Sequence, residues 1–324
     1  MKNIAIVGAS GAVGQEILRL LEKRSFPIGT LRCFASSRSA GKTVRFKSEE
    51  IPIQQLSEKA LDGLDLAFFC AGASVSKEWI SKAGCLVVDS SSAFRDTAPL
   101  VIPEINLHAM KEHRGVISSP NCAATILLMP LFSLHRMYRV KRIVASTYQA
   151  ASGGGAHLLE ELKRETAAFL ENRRYASSLP FPYAFNLYPH NSPLHQSGYV
   201  EEERKLLLET RKILEDPEIQ VSATCVRVPV LRAHSVAANI EFHHPFTLDA
   251  IYEAWSRVPG LKLFENRMSN RFATPFDATG QEEVFCGRLR VDPSQPHTLE
   301  FWSVGDQLLK GAALNAVQIG EHLL

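Results

Sequence analysis

Long hydrophobic runs are missing from this 324-residue chain, and so are blocks of like charge and closely paired cysteines. Spanning a bilayer as a helix takes about 20 consecutive apolar residues, and no segment approaches that. The apolar patch in the opening MKNIAIVGASGAVG is too short for a signal peptide, and no cleavage region follows it. Lysines and arginines gather into no run and the formal net charge is only +2, so the footprint of a nucleic-acid or membrane-surface binder is absent. Six cysteines, at positions 33, 70, 85, 122, 225 and 286, make no CxxC pair and no zinc-like spacing. No metal site is expected, and a reducing cytoplasm is the expected compartment. What is present, 45% apolar and 22% charged residues, is the composition of an ordinary globular enzyme. The length exceeds what one core usually organises, so two domains are expected.

The first hundred residues read as a dinucleotide-binding unit. Residues 3–8 form a short apolar strand that runs into GASGAVG, and an amphipathic helix follows over residues 15–23. Gly8, Gly11 and Gly14 suit a tight turn, a close approach of backbone to pyrophosphate, and close helix-on-strand packing. The spacing is GxxGxxG rather than the commoner GxGxxG, so its position between strand and helix carries the assignment. About 20 residues further on, where an Asp or Glu would meet the ribose diol of NAD, no acid occurs between Glu22 and Glu49. Ser36, Ser37 and Arg38 stand there instead, hydroxyls and a cation suited to a 2′-phosphate, which favours NADP. Apolar strands at residues 64–72 and 85–90 continue an alternation of strand and helix typical of a parallel doubly wound sheet.

The second half has another texture. SPNCAAT at residues 119–125 places Cys122 just after a Pro–Asn break and just before an apolar run at residues 126–132 that reads as helical. A cysteine at a helix N-terminus is favoured as thiolate by unpaired N–H groups and the dipole, though most cysteines are simply small buried hydrophobes. Residues 141–152 alternate as a half-buried strand, glycines 153–155 break it, and an amphipathic helix covers residues 158–170. Residues 177–193 are rich in proline and aromatics and too apolar for a linker, which suggests a subunit or domain contact. Strands over residues 221–242 and 284–292 imply a larger, mostly antiparallel sheet with helices on one face. A helix over residues 306–324 is placed to return to the first domain. Taken singly, Arg227 and His234 in RVPVLRAH, Arg95, and the charges of YVEEERK are no more than ordinary strand and surface residues.

Together the pieces lose their independence. GASGAVG, SSRSAG, SSAFR, PEIN, SPNCAAT, YQAASGGG, GYVEEERK, RVPVLRAHS and GDQLLKGAALNAVQI occur in the order found in aspartate-semialdehyde dehydrogenases, and the chain resembles that family throughout. The resemblance implies an N-terminal Rossmann-like NADP domain, residues 1–121 completed by the C-terminal helix 305–324. It implies an α+β catalytic and dimerisation domain over residues 122–304. Cys122 would be the acyl-thioester nucleophile, His234 the general acid/base and Gln149 the residue that orients substrate and nucleophile. Arg227 would hold the substrate α-carboxylate, Glu202 the α-ammonium, and Arg95 with Lys205 the phosphoryl group. Gly8, Ser10, Gly11, Ala12, Val13, Ser36, Ser37, Arg38, Ala71, Ser152, Gly153 and Gln307 would line the NADP site. The family usually has Asn at position 119 and often Thr at 124; Ser119 and Ala124 depart from that without removing a reacting group.

The implied reaction is reduction of 4-phospho-L-aspartate to L-aspartate 4-semialdehyde, on the route to lysine, methionine, threonine and diaminopimelate. Nucleotide and cysteine are then expected to meet across an interdomain cleft, in a homodimer with a tetramer as the alternative. Three other readings compete: an N-acetyl-glutamyl-phosphate reductase, a phosphorylating glyceraldehyde-3-phosphate dehydrogenase, and a silent nucleotide-binding relative. Glu202 opposes the first, since a carboxylate beside the substrate amine is useful only if the amine is charged. NADP-type residues and the setting of Cys122 oppose the second, and joint presence of Cys122, His234, Gln149 and Arg227 opposes the third.

Overall fold

The computed structural model describes residues 1–57 and 59–324. They form two compact units, Met1–Asn121 with Gly311–Leu324, and Cys122–Lys310.

In the first unit, strands β1 (Lys2–Val7), β2 (Ile28–Ala35), β3 (Thr43–Phe46), β4 (Glu49–Gln55), β5 (Leu66–Phe69), β6 (Leu86–Asp89) and β7 (Val116–Ser118) make one sheet in the order β3-β4-β2-β1-β5-β6-β7. All neighbours are parallel except β3 and β4. The order reverses about β1, so a crevice opens at the carboxyl ends of β1 and β5, the usual ligand position in such sheets. Helix α1 (Ala12–Lys23) starts three residues earlier than the sequence suggests and buries Ile17, Leu18, Leu20 and Leu21. Between β2 and β5 the expected helix is replaced by the β3–β4 hairpin. Its sequence explains this, because Thr43–Phe46 alternates exposed and buried with a period of two. Short helices α2 (Ala73–Trp79) and α3 (Pro103–Asn106) follow β5 and β6. The C-terminal helix, Leu314–Leu323, packs in this unit: a Cβ on Gly320 would lie 2.7 Å from the Phe68 ring, and Arg24 pairs with Glu321 at 2.7 Å. It begins eight residues later than expected, after a π-helical turn at Leu309–Ala313.

The second unit opens with α4 (Cys122–Tyr138), which is buried almost throughout. Pro130 inside this helix cannot donate to the carbonyl of Ile126, and the Ser303 hydroxyl donates to that oxygen instead at 3.3 Å. The chain continues through β8 (Val140–Gln149), α5 (Gly155–Leu170), β9 (Tyr188–Pro189), α6 (Glu201–Leu214), β10 (Gln220–Arg227), β11 (His234–Phe242) and α7 (Leu248–Ser256). It ends with β12 (Leu261–Leu263), a small hairpin of β13 (Glu265–Asn266) and β14 (Arg271–Phe272), α8 (Pro275–Ala278), β15 (Val284–Val291) and β16 (Thr298–Gly305). Seven of these strands form a sheet in the order β12-β15-β16-β11-β8-β10-β9, antiparallel except for β12 with β15 and β8 with β10. On β8, Ile143, Ala145, Thr147 and Gln149 are buried while Tyr148 is exposed on the other face.

The extended segment expected over residues 221–242 is two strands, broken by a turn in which Val230 N–H donates to the Val228 carbonyl. That turn lets β10 and β11 lie on opposite sides of β8. The proline-rich segment is irregular yet pinned. Glu165 of α5 accepts from the N–H groups of Tyr183 and Ala184, and Glu161 accepts from Tyr175, Ser177 and Ser178. Tyr183 and Tyr188 are buried against Ala151 and Leu162, while Phe185 and Leu187 face outward.

Candidate active site

In the first unit a cavity of about 500 Å³ opens above the glycine turn. Gly8 has φ +103°, and a Cβ there would lie 2.9 Å from the backbone of Cys70 and Ala71; a Cβ on Gly14 would lie 2.3 Å from the Gly8 carbonyl oxygen. Only glycines permit these approaches, and they leave backbone facing the cavity, as a pyrophosphate requires. Of the residues assigned to the nucleotide from sequence, Gly8, Ser10, Gly11, Ser36, Arg38 and Ala71 line it. Ser10 Oγ donates to Ser39 Oγ at 3.1 Å, tying the turn to the loop after β2. Ala12 and Val13 fall in the first turn of α1, and Ser37 is exposed; none of the three lines the cavity. Gln55 at the end of β4, Leu56 after it, and Val75, Glu78 and Trp79 of α2 line it without having been singled out in the sequence. Shape and polar lining fit a dinucleotide.

Also in this unit, Arg95 donates from Nε to the Ser119 carbonyl at 3.1 Å and from Nη2 to the Ser90 carbonyl at 3.3 Å. Ser119 accepts through Oγ from Asn315 Nδ2 at 3.0 Å.

The second unit brings Gln149, Glu202, Arg227 and His234 together by register. Arg227 and Gln149 are partners at the carboxyl ends of parallel β10 and β8, and His234 opens β11 on the other side of β8. Gln149 Nε2 donates to Glu202 Oε1 at 3.2 Å, and Lys205 pairs with Glu202 Oε2 at 3.3 Å one helical turn along α6. Arg227 Nη1 donates to the Ala150 carbonyl at 3.0 Å, and Nη2 to His190 Nε2 at 2.7 Å. Gly153 closes the cluster: a Cβ there would lie 2.7 Å from His234 Nε2 and 3.1 Å from Arg227 Nη1. Ser152 Oγ accepts from Gln307 Nε2, whose Oε1 in turn accepts from Ala233 N–H at 2.8 Å. Cys122 is the first residue of α4 and stands within electrostatic reach of Cys225, two residues before Arg227 on β10.

Gln149, Arg227 and His234 are only 1%, 5% and 1% exposed, yet Gln149 Oε1, Arg227 Nε and His234 Nε2 have no partner among the described residues. Buried polar atoms are rarely left so, and three in one cluster mark where a polar ligand sits. His234 Nδ1 accepts from Ala150 N–H at 3.0 Å, which fixes the neutral ring's proton on Nε2. Burial, reinforced by the Arg227 charge, pushes His234 down to about 3, and the same two causes push His190 down to about 4. Burial raises the Cys225 thiol to about 12, which leaves it inert. Among the described residues, no cluster of three or more His, Cys, Asp and Glu could hold a metal ion, and no helix is long and apolar enough to cross a membrane.

Residues 3–113 match the family model "Semialdehyde dehydrogenase, NAD binding domain", and residues 128–310 match "Semialdehyde dehydrogenase, dimerisation domain". The chain is 50% identical to an aspartate-semialdehyde dehydrogenase of Synechocystis, over 99% of this chain and 97% of that one. The chain belongs to the aspartate-semialdehyde dehydrogenase family. It is 47% identical to the relative of that name from Prochlorococcus marinus, over 99% of this chain and 95% of the relative. Its fold is similar to aspartate semialdehyde dehydrogenase II of Vibrio cholerae, solved in complex with ASA, with a TM-score of 0.94 and 36% identity over 100% of this chain and 98% of that one. Membership makes the chain an oxidoreductase of amino-acid biosynthesis, with a nicotinamide dinucleotide as cofactor and a dimerisation domain in its second half.

His190 escaped the sequence reading. Its only signal there is a histidine set between Pro189 and Asn191 in an otherwise apolar segment.

Proposed function

We propose that the protein catalyses the NADPH-dependent reductive dephosphorylation of 4-phospho-L-aspartate to L-aspartate 4-semialdehyde. The observation that carries this is the buried cluster in which an amide, a guanidinium and an imidazole keep polar atoms without a partner among the described residues, beside the Glu202 carboxylate. An amino acid with a charged ammonium and carboxylate matches that donor set. Glu202 faces the ammonium, Arg227 the α-carboxylate, and Lys205, with Arg95 from the first unit, keeps the phosphoryl role implied by resemblance.

Cys122, at the start of α4, attacks the acyl carbon as thiolate; the carbon–oxygen bond to the phosphoryl group breaks and phosphate leaves, giving a thioester on Cys122. When bound, the nicotinamide dinucleotide supplies the hydride that reduces the thioester carbon. His234 serves as acid/base, and its tautomer sets it first as a donor: Nε2–H meets the oxygen on which charge develops. Gln149, held by Glu202, orients substrate and sulfur. The carbon–sulfur bond then breaks, releasing aldehyde and returning Cys122 to thiolate.

NADP rather than NAD is supported by Arg38 and Ser36 at the cavity wall, with no acid in residues 23–48. A cytoplasmic setting suits six cysteines that form no disulfide. An N-acetylated substrate is disfavoured, because its amide brings no positive charge to the Glu202 carboxylate beyond that of Lys205. The test is phosphate-dependent reduction of NADP with aspartate semialdehyde, the reverse direction. Absence of phosphate dependence, or a preference for the N-acetylated glutamate analogue, would overturn the assignment.

A further inference from the structure

Arg227 reaches its cluster from the end of β10, and its guanidinium is held on two sides. One side is the Ala150 carbonyl; the other is His190, which comes from the proline-rich segment and accepts from Nη2 at 2.7 Å. The imidazole is brought there by backbone pairing. Pro189 and Tyr188 of β9 pair with Val226 and Arg227, and the next N–H, that of His190, donates to the Cys225 carbonyl at 2.8 Å. A guanidinium can only donate, so at 2.7 Å His190 offers a lone pair at Nε2 and cannot carry a second proton; the ring proton is then on Nδ1, which lies at a longer 3.2 Å from the Ser192 nitrogen. Two residues on, Ser192 Oγ accepts from the Glu202 N–H at 3.0 Å. One short turn thus meets both the guanidinium of Arg227 and the backbone that carries Glu202. With Nη1 and Nη2 each making a bond, Nε is the guanidinium nitrogen without a partner among the described residues.

We propose that His190 is a positioning residue for Arg227: as a neutral acceptor it locks the guanidinium so that the Nε side faces the substrate α-carboxylate. This rests on the reading of Arg227 as the carboxylate-binding residue. Without the acceptor, a buried Nη2 donor loses its partner, and the guanidinium turns toward whichever oxygen it can reach. Binding of the substrate then suffers, whereas the dinucleotide rests on the other unit's glycine turn.

The test compares His190→Phe, which keeps a ring but no acceptor, with His190→Gln, whose Oε1 can stand where Nε2 stands, in the intact enzyme. His190→Phe is expected to raise KM for aspartate semialdehyde about tenfold or more, with KM for NADP unchanged. His190→Gln should recover most of the loss. Arg227→Lys should by itself weaken substrate binding, and adding His190→Phe to it should cost little more. A wild-type substrate KM in His190→Phe overturns the proposal. Equal damage to the KM values of both substrates, or no recovery with His190→Gln, also overturns it, since either marks a general structural role. A wild-type substrate KM in Arg227→Lys instead overturns the carboxylate assignment itself, whatever the His190 variants do.

Discussion

The two units recognise by opposite means. In the first, the cavity is shaped by the absence of side chains: Gly8 at its wall stands where any Cβ would strike backbone, Gly14 packs as closely behind the turn, and Arg38 and Ser36 lie exposed at the wall. In the second, the recognition proposed above falls to long polar side chains that are themselves buried, and each needs a neighbour to hold it. Arg227 has Ala150 and His190, Glu202 has Gln149 and Lys205, and His234 has Ala150. A backbone cradle tolerates loss of a peripheral contact with a modest change in affinity. A cluster of buried charges does not, because each partner removed leaves another charge stranded.

The sharpest way to break this contrast is Cys122→Ala. Turnover should fall by about 10⁴-fold or more, while dinucleotide binding, measured by titration, stays near wild type. Substantial residual activity would end the covalent mechanism. Next in size, Glu202→Gln should lose activity toward aspartate semialdehyde and narrow its advantage over the N-acetylated analogue, which brings no second ammonium to the carboxylate already paired with Lys205. Similar specificity constants for the two substrates in the wild type would move the enzyme to the acetylglutamyl class. In the first unit the effect should be smaller and confined to one cofactor. Arg38→Ala removes a charge-assisted bond of about 1.5 to 3 kcal/mol, raising KM for NADP and sparing that for NAD; equal weakening of both would make Arg38 a mere loop residue.

The smallest effect is on stability against pH, and it should come from the second unit. His234 and His190 have folded-state values of about 3 and about 4, below the ordinary value of 6.5 that each recovers on unfolding. As pH falls below 6.5 the unfolded chain takes up these protons first, so their contribution to stability is complete above that value and is lost progressively toward 4 and 3. Unfolding midpoints at pH 7.5, 6.5 and 5 should decline, and His190→Gln should decline less steeply. Identical slopes for wild type and variant would show that His190 is not buried neutral.

How far the sequence could be read follows the same division. A turn that needs glycine at fixed spacing between strand and helix announces itself locally, so Gly8, Gly11 and Gly14 were legible without any relative. Cys122 was legible for a similar reason, because Pro120 and Asn121 break the chain just ahead of an apolar helix. The β3–β4 hairpin was not anticipated, since a four-residue alternation such as Thr43–Phe46 is easily lost beside the stronger helix signals around it. Gln149, Arg227 and His234 became candidates only through family resemblance. Their meeting depends on the register of β8 with β10 and β11, which no local pattern encodes. His190 lies deeper still, because its position follows from the two-residue pairing of β9 with β10.

The carboxylates of Glu161 and Glu165 give that pairing a history. They are the docking points for residues 175–184, and both sit on one face of α5, so the irregular segment has no place to settle until that helix exists. The strap that delivers His190 is therefore templated, and maturation of the enzyme has an order. During refolding, fluorescence-detected dinucleotide binding is expected to return ahead of turnover, because the glycine cradle is complete within its own unit while the acceptor for Arg227 arrives last.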